Sequence, residues 1–120
     1  MFYYIASPYS SPSPQIRQQR YESVMGYVAY LLKRRIPCYS PILHTHELSI
    51  QTALPFEYEF WHDYNCAMIR PSLGLHILML QGWEASRGIA AEIAFAGSNS
   101  LPIEYVKAYD DNGTALFQLA

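Results

Sequence analysis

Apolar and polar positions follow two rhythms along this chain, and the switches between them mark out short strands and amphipathic helices. Phe2-Tyr3-Tyr4-Ile5-Ala6 is an aromatic and β-branched run stopped by the Ser/Pro cluster Ser7 to Pro14, which predicts a first, central strand feeding a loop. Ser13 then offers an N-cap, and Pro14 suits the first helical position. Ile16, Tyr21, Val24, Val28, Leu31 and Leu32 keep to one helical face while Arg17, Gln18, Lys33 and Arg34 are left for solvent. A helix is expected from Pro14 to about Arg35.

Pro37 to Ile42 reads as a second strand with prolines confined to its ends, and the polar segment His44 to Ala53 as a loop at the same sheet edge as the first loop. Phe56, Phe60, Tyr64 and Met68 fall at helical spacing, and Pro71 with Gly74 ends that helix. Leu75 to Leu80, apolar except for His76, suits a strand covered on both faces. A helix from Ser86 to Ala96 stopped by Gly97, a strand from Leu101 to Val106 and another from Thr114 to Leu119 complete the series. Strand and helix alternate throughout, which predicts an α/β fold. The expected form is a single-domain three-layer α/β/α sandwich over residues 1–120, flavodoxin- or Rossmann-like, with a parallel sheet of four to five strands.

Composition narrows the class of partner. A chain of 120 residues buries roughly 65 to 70% of its unfolded surface, enough for a proper core. With 51% hydrophobic residues, 15% charged and a net charge of -2, it has neither the basic surface that nucleic acid requires nor the composition of a disordered chain. A small-molecule partner is expected, not nucleic acid. Eleven tyrosines supply apolar area with polar tips, as pockets and subunit interfaces require, so a homo-oligomer is expected. Cys38 and Cys66 have no CxxC spacing and read as reduced, buried thiols. Neither a signal-peptide pattern nor an apolar run of about 20 residues is present, which points to a cytoplasmic protein with no membrane partner.

The block Gln81-Gly82-Trp83-Glu84-Ala85-Ser86-Arg87-Gly88-Ile89-Ala90-Ala91-Glu92 follows an apolar strand and opens a helix with a carboxylate on its second turn. Ligands in open α/β sheets sit beyond the strand C-termini, where free N–H groups at a helix start favour anionic or hydroxyl-rich groups. A sugar with its reactive carbon near Glu92 fits that placement. His44 and His46 resemble half of a metal site, but no third ligand stands at a convincing spacing, so no metal is expected and His44 reads as a polar pocket rim. His76 reads as a core histidine and His62 as a surface one. Trp61 and Trp83 are weighed as base-stacking or packing residues, with Trp83 the candidate for the pocket. Arg17 and Arg20 lie within reach of the Ser/Pro loop, although a solvated helix face explains them more simply.

These motifs together resemble the nucleoside 2-deoxyribosyltransferase-like family, which includes deoxynucleoside monophosphate N-glycosidases. The resemblance rests on Tyr4-Ile5-Ala6-Ser7-Pro8-Tyr9-Ser10, on Tyr39-Ser40-Pro41-Ile42 with His44 and His46, on Phe60-Trp61, and on Gly82-Trp83-x-x-Ser86-x-Gly88-x-x-x-Glu92-Ile93. It implies that Glu92 attacks the anomeric carbon to form a covalent glycosyl-enzyme, with Tyr4 holding it in place and no cofactor. Ser7, Pro8, Tyr9, Ser86 and Gly88 would then line the sugar and phosphate pocket. Asp63, Asn65 or His44 would face the base. Family transferases carry an aspartate six residues before the nucleophile and the monophosphate hydrolases a serine, so Ser86 tilts the expectation toward nucleotides. Related sequences also place an aspartate where Asn65 stands, and an amide donates no titratable proton. Asp63 would have to substitute for it, or Asn65 would read the base edge, or turnover would be impaired. The resemblance further implies a homodimer or larger assembly in which the neighbour's segment Asp110 to Thr114 completes the pocket.

Overall fold

In the computed structural model, residues 1–111 and 114–119 are described. Five strands form one sheet in the order β2-β1-β3-β4-β5, with β1 at Tyr3–Ala6, β2 at Cys38–Tyr39, β3 at Leu75–Leu78, β4 at Ile103–Asp111 and β5 at Thr114–Leu119. The helices are α1 (Pro14–Lys33), α2 (Pro41–Thr52), α3 (Tyr58–Ile69) and α4 (Arg87–Ser98), the last preceded by a 3-10 turn at Trp83–Ala85. Helices cover both faces of the sheet, and the architecture is the expected three-layer α/β/α sandwich with a flavodoxin-type strand order.

The period of two along the central strands sorts their side chains between the layers. Ile5, Leu78 and Val106 point to one face, where Val24, Tyr27, Val28 and Leu31 of α1 cover them. Tyr4, Ala6, Leu75 and Ile77 point to the other and meet Ile69 of α3 with Ile89 and Ala96 of α4. Ile5, Leu75, Ile77 and Leu78 are fully buried, and each such side chain contributes roughly 1.5–3 kcal/mol relative to exposure. The α1 N-terminus is built as its sequence predicts, with the Ser13 side chain accepting from the Ile16 N–H and Pro14 opening the helix. Arg35, with φ of 59°, closes the other end.

Four expectations are corrected. The second strand is only two residues long, because Ser40 and Pro41 repeat the Ser-Pro start signal of α1. Ser40 Oγ accepts from the Leu43 N–H at 3.1 Å, and the segment expected as a loop from His44 to Ala53 is helix α2, capped by Ala53 in the left-handed region. The sheet is also not wholly parallel. β5 pairs antiparallel with β4, since two intervening residues cannot make a parallel crossover, which needs a dozen or more. Finally, α4 runs through Gly97 and stops where Ser100, at φ of 57°, turns the chain and the Leu101 N–H returns to the Ala96 carbonyl. Among the described residues, no helix is long and apolar enough to cross a membrane.

Candidate active site

β1 and β3 are neighbours at the centre of the sheet, but the helices that follow them, α1 and α4, pack on opposite faces. The connections diverge and leave a crevice beyond the strand ends. A cavity of about 460 Å³ occupies it, within the roughly 300–1,000 Å³ of small-molecule pockets. Ser7 to Ser10 after β1 form one wall, and Pro41, Ile42 and Thr45 of α2 another. Tyr58, Trp61, His62 and Asn65 of α3 line it together with Gly88 and Glu92 of α4 and the α4 N-cap Ser86.

Glu92 is buried in this wall, 8% exposed, and the Tyr4 hydroxyl donates a hydrogen bond to its Oε2. The two residues lie 88 apart in sequence, joined because an inward position on β1 meets the second turn of α4. Burial pushes the Glu92 carboxyl up to about 7, and the hydrogen bond from Tyr4 works against that rise. Burial, reinforced by the Glu92 charge, holds the Tyr4 phenol well above the ordinary tyrosine range, so it stays a donor. Once ionised, Glu92 is therefore a poorly solvated carboxylate held by one side-chain donor, a reactive state for a nucleophile.

Two further polar atoms in the cavity wall, Ser7 Oγ and Asn65 Oδ1, are buried without a hydrogen-bond partner among the described residues. Each such atom costs about 1–3 kcal/mol when left unsatisfied. Both lie where a ligand with hydroxyl and amine groups can satisfy them. Ser86 caps α4, its Oγ accepting from the Ile89 N–H at 3.2 Å, and its own hydroxyl hydrogen remains free to donate into the cavity. Gly88 keeps α4 close to α3, since a Cβ there would lie 3.3 Å from Tyr58 Cβ.

The β1 loop is braced from behind. The Tyr9 hydroxyl lies 2.6 Å from His46 Nδ1, and His46 Nε2 lies 2.9 Å from Gln18 Oε1. His46, stacked on Tyr21 with centroids 4.1 Å apart, is thus an internal strut. Arg20 Nη1 donates to the Ser10 carbonyl at 2.9 Å and its Nη2 to the Gln81 carbonyl at 3.4 Å, tying together the loops on either side of the crevice. Arg20 lines the cavity. Arg17 instead donates to the Ser11 carbonyl and lies over the Phe56 ring.

Of the residues singled out in the sequence, Ser7, Pro8, Tyr9, Asn65, Ser86, Gly88 and Glu92 meet at one cavity, with Tyr4 directly behind Glu92. Three do not join them. Asp63 is exposed and does not line the cavity, because a step of two residues along a helix turns a side chain to a different side. His44 is exposed on α2 and stacks beside Tyr64, not at the rim, because its segment is helical. Trp83 packs against Tyr105, with centroids 5.7 Å apart, in the hydrophobic layer beneath α4. Conversely, His62 was expected at the surface and instead lines the cavity. The spacing of Tyr58, Trp61, His62 and Asn65, one helical face, carried the signal that could have placed it. Cys38 and Cys66 are free thiols, half-buried rather than fully buried. Asn112 and Gly113, within the segment expected to complete a neighbour's pocket, lie outside the described residues.

His76 is the core histidine its sequence context suggested. Its Nδ1 lies 2.8 Å from the Tyr27 hydroxyl, and its Nε2 lies 3.4 Å from Glu104 Oε2 without making a hydrogen bond. Among the described residues no group of three or more His, Cys, Asp or Glu side chains could hold a metal ion.

No curated protein matches this sequence. Residues 2–107 match a family model described as a domain of unknown function, DUF1937. That span takes in β1, all four helices and every cavity residue named above. The chain belongs to the DUF1937 family.

Proposed function

We propose that this protein cleaves the N-glycosidic bond of a 2'-deoxynucleoside or its 5'-monophosphate by a covalent mechanism on Glu92. One observation carries the reading: a buried carboxylate, held by Tyr4, opens into a cavity that also presents the unpartnered Ser7 Oγ and Asn65 Oδ1. A carboxylate is a competent nucleophile toward an oxocarbenium-like carbon, as in retaining glycosidases. Glu92 bonds to the anomeric carbon as the bond to the base nitrogen breaks. Water or a second base then displaces the carboxylate. Tyr4 orients Glu92 and favours its ionised form.

Ser86 and Gly88 at the start of α4 receive the 5' end of the sugar. Ser86 is uncharged and donates without repelling a phosphate, which favours the monophosphate and hydrolysis over nucleoside transfer. Asn65, with its amide facing the cavity wall, contacts the base edge. The resemblance to nucleoside 2-deoxyribosyltransferase-like proteins supports the same assignment. Under this reading the enzyme is cytoplasmic and homo-oligomeric and needs no cofactor.

Chromatography of purified protein with deoxynucleosides and their 5'-monophosphates, with and without added free base, tests the assignment. Glu92-dependent release of base from monophosphates alone is the expected result. Base exchange on free nucleosides would instead make the chain a transferase and reduce Ser86 to a helix cap. Saturable nucleotide binding without products would leave a binding module with no turnover.

A further inference from the structure

A purine or pyrimidine leaving a sugar carbon carries away an electron pair, and a neutral base departs readily only when a ring nitrogen gains a proton. Glu92 cannot supply it while serving as nucleophile. The donor must line the same cavity, and the lining residues narrow the choice. Arg20 and Arg87 do not deprotonate in proteins. Tyr9 is committed to His46, and burial pushes its hydroxyl up. Tyr58 sits beside the Arg87 guanidinium, and Glu59 pairs with Arg87 at 3.1 Å on the exposed rim, as exposed as Glu57. Asn65 has no acidic proton, and Asp63 does not line the cavity. His62 remains.

Building on the glycosidase reading, we infer that His62 is the general acid that protonates the departing base. It stands on α3 one turn before Asn65, so both side chains reach the cavity that Glu92 of the neighbouring α4 also lines. The Cys66 Sγ lies 3.6 Å from His62 Nε2. The histidine and the carboxylate line one cavity, where a sugar carbon and its base can lie between them. Among the described residues, neither ring nitrogen of His62 has an oxygen or nitrogen partner, so one is free to reach the base. The charged and titratable groups beside His62 on α3 are Tyr58, Glu59, Asp63 and Cys66, and α4 adds Arg87 and Glu92 to the lining of the same cavity.

The step balances without a further reactant. The C1'–N bond breaks with its electrons going to the base, the imidazolium proton moves to a base nitrogen, and Glu92 Oε bonds to C1'. In the second half neutral His62 takes a proton from the attacking water, the water oxygen bonds to C1', and the bond to Glu92 breaks.

The test compares two substrates in the His62→Gln variant, a 2'-deoxyguanosine 5'-monophosphate and its N7-methylated form. The methylated base is already cationic and leaves as a neutral molecule without receiving a proton. The expected result is a fall on the order of 10²-fold in kcat for the unmethylated substrate, with the methylated one cleaved at close to the wild-type rate. Equal losses on both substrates, or no loss on either, would overturn the role of His62 while leaving Glu92 in place. The methylated substrate also reports whether the variant is folded. Absence of Glu92-dependent cleavage of either substrate by the unmutated protein would remove the glycosidase reading itself, and the inference with it.

Discussion

Among the described residues, His76 and Glu92 are both buried ionisable side chains that meet a tyrosine hydroxyl beside a cavity, of about 270 Å³ at His76 and about 460 Å³ at Glu92. His76, at the centre of β3, contacts Tyr27 through one ring nitrogen and faces Glu104 with the other. Glu92 contacts Tyr4 and faces a cavity where two more polar atoms lack partners. Burial acts on both but with opposite consequences, because it penalises the charged form in each case. It lowers the histidine and keeps it neutral, whereas it raises the carboxylate to about 7, where ionisation can be reached. The lesson is that burial with a tyrosine partner does not by itself mark a site. The convergence of further unpartnered polar side chains, Ser7 and Asn65, on the cavity of Glu92 is what separates the two.

The largest expected separation is in turnover. Glu92→Ala should lower base release on the order of 10³-fold or more, equivalent to about 4 kcal/mol of barrier. His76→Gln should leave the rate per folded molecule near that of the unmutated protein, as read by kcat with active protein counted by ligand titration. A comparable loss in both variants would break the distinction between the two groups.

The next effect is on stability, and its sign differs between the pair. Glu92 has a folded-state value of about 7 against 4.5 for the free group, so the folded protein holds the proton more tightly. Stability should fall as pH rises from about 4.5 to 7, by on the order of 3 kcal/mol. Glu92→Gln should remove that slope. His76 is lowered below 6.5, so its contribution is present above that pH and is lost as acid protonates the unfolded chain first. His76→Gln should flatten the low-pH side instead. Urea unfolding across pH 4 to 8 reads both, and matching slopes in the two variants would contradict the assignment.

Tyr4→Phe removes the donor that favours ionised Glu92, worth about 1.5–3 kcal/mol for a bond to a charged group. The rising limb of the pH–rate profile should move about 1–2 units upward, with the rate recovering at high pH. A loss independent of pH would mean that Tyr4 only packs. The smallest effect concerns the support of the cavity's α2 wall. Ser40→Ala should cost about 1 kcal/mol through loss of the cap to Leu43, measured by chemical denaturation. An unchanged midpoint would show that Pro41 alone starts the helix.

Much of this could be read in the chain, for physical reasons that differ by region. Leu75 to Leu78 declares itself because a strand buried on both faces needs a continuous apolar run. Ser13-Pro14 and Ser86 announce helix starts through chemistry that no other local structure uses so well. Ser40-Pro41 carries the same signal, but a neighbouring β-rich run made it look like the end of a strand. The direction of β5 lay in the Asn112-Gly113 pair, a hairpin signal in sequence, whereas strand alternation alone suggested a parallel neighbour. Within the site, Glu92, Ser86 and Ser7 were legible because motifs near element ends map to the crevice. One cause sets Asp63 outside the cavity lining and Asn65 within it. Helical phase decides which of two polar neighbours faces inward, and only packing sets that phase. Trp83 lies outside the cavity lining for a related reason, since a large apolar ring beside an opening gains by packing, half-buried, against Tyr105.

The most direct measurement is the mass of the proteolytic peptide bearing Glu92 after the protein is mixed with a deoxynucleoside 5'-monophosphate and quenched in acid. A deoxyribosyl phosphate added to that peptide, and absent from Glu92→Gln, is the predicted result. Base release with an adduct on another residue, or at full rate in Glu92→Gln, would contradict a nucleophilic Glu92.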